Sequence, residues 1–145
     1  MFRAIFVFSF VSLLLVFGQD IVLDDPEKQQ EMHAFFKSIR VQCADENLIT
    51  YASVLQFNTT GALPDDKDKT SMCYFHCFFE KSGLMDNYKL NADLVRKYVW
   101  PATGDSIEAC EKEGKEEANA CERGFAIIKC VVLRSLTDAR NIPVV

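Results

Sequence analysis

Histidine is scarce in this chain. His33 and His76 are the only two, which leaves little for acid–base work near neutral pH or for imidazole-bound metal. His33 falls on the outward side of a first helix and His76 between two cysteines, so both read as structural. No nucleophile with a base, no paired acids and no Cys/His cluster is assembled by the spacing. No catalytic residue, cofactor or metal is therefore expected, and the chain is read as not an enzyme. A basic stripe interleaved with aromatics is also missing, and a net charge of −5 repels phosphate backbones, which excludes nucleic acid as a partner. Beyond Phe17 no apolar run approaches the roughly 20 residues of a membrane span. Internal repeats, low-complexity stretches and useful strand-like alternation are absent too, which removes sandwiches, barrels and solenoids.

What is present begins with Met1-Phe2-Arg3, an apolar run from Ala4 to Phe17, and then Gly18-Gln19-Asp20. One positive charge, a short greasy stretch and a small residue at its end form a secretory signal peptide, residues 1–18, with the mature domain expected over 19–145. Losing Arg3 makes that domain one charge more negative. Its length suits one domain with one core. Asn58-Thr59-Thr60 is an N-glycosylation acceptor, meaningful in an exported chain and expected on an exposed loop.

The helices follow from spacing and punctuation. Asp25-Pro26 opens a first helix, 26–43, with Met32, Phe35, Phe36, Ile39 and Cys43 three or four apart. Thr50 caps a short second helix to about Gln56, and Gly61 and Pro64 mark a polar loop from Asn58 to Asp68. Thr70 or Ser71 starts a third, too apolar all round for the surface, that stops at Gly83. Asn91 caps a fourth, limited by Pro101. A charged fifth helix is expected over Ser106 to about Glu117, on the outside, and offers no dimer face, so the chain is read as a monomer or weak dimer. The last, Ala118 to Leu136, is apolar over most of its circumference and central. Its sequel, with Ile142, Pro143, Val144 and Val145, is an apolar tail (about 137–145) expected to pack back on the body. The fold class is all-α: about six helices around one core.

All six cysteines, Cys43, Cys73, Cys77, Cys110, Cys121 and Cys130, lie in the exported part. An even number in a small secreted domain reads as three disulfides. The oxidising compartment and the lack of a second close Cys/His pair argue against zinc at Cys73-x3-Cys77. Cys73 and Cys77 share one helix face a turn apart, whereas Cys121 and Cys130, nine apart, sit on opposite faces. Joining Cys43 to Cys77, Cys73 to Cys121 and Cys110 to Cys130 satisfies both facts, though the spacing leaves other pairings open.

Large side chains are dense: Phe35, Phe36, Phe57, Phe75, Phe78, Phe79, Tyr98, Trp100 and Phe125. Most must be core, yet disulfides let a domain hold its shape around an unfilled apolar centre. Met72 and Met85 add adaptable surface. The run Cys73-Tyr74-Phe75-His76-Cys77 is faintly similar to the active-site helix of secreted phospholipases A2, but the glycine-rich calcium loop such enzymes need just upstream is missing.

Between successive cysteines stand 29, 3, 32, 10 and 8 residues. This string, with its gaps of 3 and 8, resembles the six-cysteine pattern of the insect odorant-binding proteins, the pheromone and general odorant-binding family, over essentially the whole mature chain. The resemblance implies six helices, the interlocked pairing above, and a buried pocket that carries odorants, pheromones or fatty-acid-like molecules through aqueous lymph to an olfactory receptor.

By that resemblance the pocket draws on Phe36 and Ile39 of the first helix and Val54 and Leu55 of the second. The third contributes Met72, Phe75 and Phe79, followed by Leu84 and Met85. Leu94 and Tyr98, then Phe125 and Ile128, complete it. The tail, with Ile142, Val144 and Val145, could close the pocket as a lid, latched through Asp138 and Arg140. Two other functions remain open: a non-olfactory carrier in haemolymph, saliva or reproductive secretion, and a secreted helical signal acting through its surface, which would have a filled core.

Overall fold

The computed structural model describes residues 25–99 and 105–140. Contacts divide the chain into Met1–Ala34 and Phe35–Val145. The signal peptide, Trp100 and the tail residues Ile142 to Val145 lie outside the described residues.

Of the first unit, residues 25–34 are the opening turns of helix α1, Pro26–Glu46. The carboxylate of Asp25 accepts from the Glu27 N–H at 3.1 Å, and Pro26 occupies a first-turn site where no N–H is needed. Within the second unit α1 buries Phe36 and Cys43, seven residues apart and so on one face.

Helix α2 is Tyr51–Thr60, capped as expected by Thr50, whose hydroxyl accepts from the Ser53 N–H at 3.1 Å. It closes at Gly61, whose N–H bonds the Phe57 carbonyl at 2.8 Å. The expected loop thus begins at Gly61, and the acceptor Asn58 stands exposed in the last turn of α2. Helix α3 spans Lys69–Lys81. Its cap is Asp68 and not Thr70 or Ser71: the carboxylate takes the Ser71 N–H at 3.2 Å and the Ser71 hydroxyl at 2.5 Å, and a carboxylate at a helix N-terminus also meets the positive end of the dipole.

A small hairpin, β1 Met85–Asp86 and β2 Lys89–Leu90, interrupts the helices, with Met85 opposite Leu90. Asn87 and Tyr88 turn it, both at positive φ (47° and 63°), as a two-residue primed turn requires. Two residues per strand are too few to leave an alternation in the sequence. Helix α4, Ala92–Tyr98, carries the expected Asn91 cap. Helix α5 is only Ser106–Cys110, shorter than the expected run to Glu117. Gly114, at φ 69°, turns the backbone there, and a Cβ on it would stand 2.9 Å from the Arg123 carbonyl oxygen. The charged segment therefore lies against the last helix as turns.

That last helix, α6, is Ala120–Arg140. Asn119 caps it, taking the N–H groups of Cys121 and Glu122. It packs against α2, α3 and α5 and buries Phe125, Ile127, Ile128, Val131 and Val132. Rings from three helices meet over it: Phe57 lies 4.3 Å from Phe75 and 5.1 Å from Phe125 between centroids.

The disulfides are Cys43–Cys77, Cys73–Cys121 and Cys110–Cys130. They join α1 to α3, α3 to α6 and α5 to α6. The protein is all-α, six helices among the described residues, with three interlocking bridges. None of these helices is long and apolar enough to cross a membrane.

Candidate functional site

Helical repeat places the walls of a cavity between α1, α2, α3 and α4. Phe36 and Arg40 of α1 are four residues apart, as are Val54 and Asn58 of α2, and each pair presents one face. On α3, Tyr74 with Phe78 and Phe75 with Phe79 make two adjacent stripes at the same interval. Tyr98 and Val99 close the end of α4. These ten side chains line a half-enclosed cavity of about 270 Å³.

Most of that wall is aromatic, and its rings brace one another. Phe36 lies 6.0 Å from Phe78 and 5.5 Å, edge-on, from Tyr98. Phe78 and Phe79 meet edge-on at 5.9 Å. The edge-on contacts favour defined ring orientations in the wall. The ion pair Lys81–Glu46 at 2.5 Å and the Cys43–Cys77 bridge hold α1 against α3 beside it. Lys81 holds the Glu46 carboxyl below its usual range.

The polar side chains among the described lining residues are Arg40, Asn58 and Tyr74. The Arg40 guanidinium carbon stands 5.7 Å from the Phe78 ring centroid, a cation–π distance. Burial pushes the Tyr74 phenol up, opposed by the positive charge of Arg40.

Of the residues expected at a pocket, Phe36, Val54, Phe75, Phe79 and Tyr98 line this cavity. Ile39 and Leu94 are half-buried outside it. Leu55 is 49% exposed, since neighbours on a helix point about 100° apart and Val54 already takes the inner position. Met72 and Phe125 line a separate cleft toward α6 with charged Asp66, Glu117, Glu122 and Lys129. Leu84 and Ile128 are fully buried in the core, and Met85, itself buried, borders a larger and more open pocket at the hairpin, about 610 Å³. The sequence reading missed Arg40, Asn58, Tyr74, Phe78 and Val99. Counting four residues on from Phe36 and Val54 would have found Arg40 and Asn58.

Of the supposed lid, Ile142, Val144 and Val145 lie outside the described residues. Asp138 is engaged with the body of the domain, accepting from the Ser106 hydroxyl at 3.2 Å. His33 is exposed, and His76 bonds Glu80 at 3.0 Å and stacks on Tyr88. No group of His, Cys, Asp and Glu able to hold a metal occurs among the described residues.

A model of the PBP/GOBP family matches residues 25–133. Over 111 residues the chain is 69% identical to general odorant-binding protein 84a of Drosophila melanogaster, a stretch that covers 76% of this chain and 63% of that protein. The match thus spans less than two thirds of that relative's length. No solved structure matches.

Proposed function

We propose, from the premise that this chain belongs to the PBP/GOBP family of odorant-binding proteins, that it carries small hydrophobic odorants or pheromones in its internal cavity. The carrier acts in an aqueous secretion, the lymph around olfactory neurons, and delivers its ligand to an olfactory receptor. The observation that supports this most is the half-enclosed cavity of about 270 Å³ with six aromatic side chains in its wall: Phe36, Tyr74, Phe75, Phe78, Phe79 and Tyr98.

Its volume falls just below the roughly 300–1,000 Å³ of drug-sized ligand sites, which suits a compact volatile. Burying on the order of 300 Å² of apolar ligand surface stabilises the complex by roughly 7 kcal/mol at about 25 cal/mol per Å². Part of that is lost to immobilisation, which leaves affinity near the micromolar range.

Fluorescence titration of the oxidised protein with an apolar dye, followed by displacement with alcohols, aldehydes, esters and fatty acids, tests the reading. The expected result is saturable binding at one site, reversed by part of the panel. Correctly bridged protein that binds neither dye nor competitor would overturn the carrier assignment and favour a surface-acting protein with a filled core.

A further inference from the structure

We propose that the cavity selects ligands with an anionic head, a carboxylate on an apolar chain, and that Arg40 reads that head with Tyr74 and Asn58 as supporting donors. This deepens the carrier reading and rests on it.

Arg40 forms no ion pair among the described residues. On its own helix, the positions three and four away are Lys37, Phe36, Cys43 and Ala44, none of them acidic, so the helix supplies no i,i+4 partner. Glu46, nearer the end of α1, is held by Lys81 at 2.5 Å. Among the described residues Arg40 lies over the face of Phe78 and its charge acts on the Tyr74 phenol, while none of its five N–H groups is spent in a hydrogen bond to a described residue.

Tyr74 lines the same cavity, is 4% exposed, and its hydroxyl makes no hydrogen bond to a described residue. Burial keeps that phenol protonated, hence a donor. Asn58, four residues after Val54, likewise spends neither its amide N–H₂ nor its carbonyl on a described residue. A buried phenol and an exposed guanidinium without an acid, near enough for the charge to act on the phenol, put donors in the wall of a cavity with no carboxylate among its described lining residues.

Chemistry ranks the heads that would occupy it. A carboxylate accepts two parallel N–H bonds from a guanidinium, with charge assistance, and has lone pairs left for the phenol and the amide. An ester or aldehyde accepts without charge. An alcohol satisfies fewer donors, and an ammonium head meets Arg40 with repulsion. Arg40 is exposed, so solvent screens the pair, and the selectivity is moderate.

The test uses the secreted, fully bridged protein loaded with N-phenyl-1-naphthylamine. The dye is displaced at neutral pH by dodecanoic acid, methyl dodecanoate, 1-dodecanol and dodecylamine, which share one chain length. The acid is expected to displace the dye at about tenfold lower concentration than the alcohol, the scale of one charge-assisted hydrogen bond, with the amine weakest. Arg40→Met, which keeps the apolar stem, should bring the acid-to-alcohol ratio close to one, whereas Arg40→Lys should keep most of it and Tyr74→Phe part. Arg134→Met, at an exposed ion pair with Asp105 outside the cavity, serves as the control and should not move the ratio.

Dodecanol matching dodecanoic acid in the unaltered protein, with dye binding intact, would overturn the head-group assignment and leave the carrier reading standing. A preference that survives Arg40→Met unchanged would overturn the role of Arg40. Absence of binding by the dye and by all four competitors would overturn the carrier reading and this inference with it. The ranking in the unaltered protein decides the head-group question even if a variant fails to fold.

Discussion

At Gly124 an added methyl carbon would stand 2.3 Å from Cδ2 of His76. This glycine lies inside α6, where alanine would be the better helix former, so its presence reflects the close approach of α3 and not the backbone. Gly124→Ala is expected to lower stability by about 1–3 kcal/mol, the cost of overpacking a tight site, as read by chemical denaturation. The cap at Asp68 gives a second residue-scale expectation. The Ser71 hydroxyl and then its N–H hold that carboxyl below its ordinary value, so the folded state favours the ionised form. Its contribution is complete above the unfolded carboxyl's pKa and is lost as pH falls through the lower folded value. Asp68→Asn, which keeps an acceptor but no charge, should flatten this part of the acid limb of stability against pH, and Asp68→Ala should cost about 1 kcal/mol. Tyr74 behaves in the opposite sense. Its raised value means stability is complete below the free phenol's pKa and declines as pH rises through the folded one, so Tyr74→Phe should soften the alkaline limb. Thr50 and Asn91 were legible as caps from residue type and the periodic run that follows. Asp68 was not, because Thr70 and Ser71 offered equally good capping side chains closer to the apolar run.

Between elements, the three bridges have unequal consequences for the cavity. Cys43–Cys77 joins the two helices that supply Phe36, Arg40, Tyr74, Phe75, Phe78 and Phe79, whereas Cys110–Cys130 ties α5 to α6, neither of which lines it. Closing loops of 34 and 20 residues, each bridge stabilises the fold by roughly 3–4 kcal/mol in the chain-entropy account. Replacing both cysteines of either pair by serine should therefore cost a similar amount of stability in a denaturant titration. Dye affinity should separate them: the 43–77 pair variant is expected to lose it more than the 110–130 variant, measured under conditions where both are folded. Equal losses would show that the cavity depends on the domain as a whole and not on the α1–α3 clamp. Element boundaries were readable where a glycine or cap stands alone, as at Asn91. They failed at α5, where an unbroken charged run gave no sign that Gly114 turns against Arg123.

For the whole molecule, the tail is the open quantity. If Ile142, Val144 and Val145 close the pocket, a chain ending at Arg140, which leaves α6 and its Asp138–Ser106 contact whole, should release ligand faster than the full chain in a stopped-flow displacement, with little loss of stability. Unchanged off-rates would remove the lid. The amino-acid sequence by itself determined the class of molecule: a helical chain with six cysteines at the spacing of the family and helical periodicity throughout. Those features are local in the chain, since periodicity, caps and cysteine number are set by neighbours a few residues away. Only the tertiary structure decided which apolar side chains are core and which are wall. Ile128 and Phe36 follow the same helical pattern, yet one is sealed within the core and the other faces space, because burial depends on what the opposite helix brings. The same holds for Arg40, which reads in sequence as an ordinary surface charge. It becomes part of the site because residues of α2, α3 and α4 line the same half-enclosed cavity and, among the described residues, none of these helices pairs it with an acid.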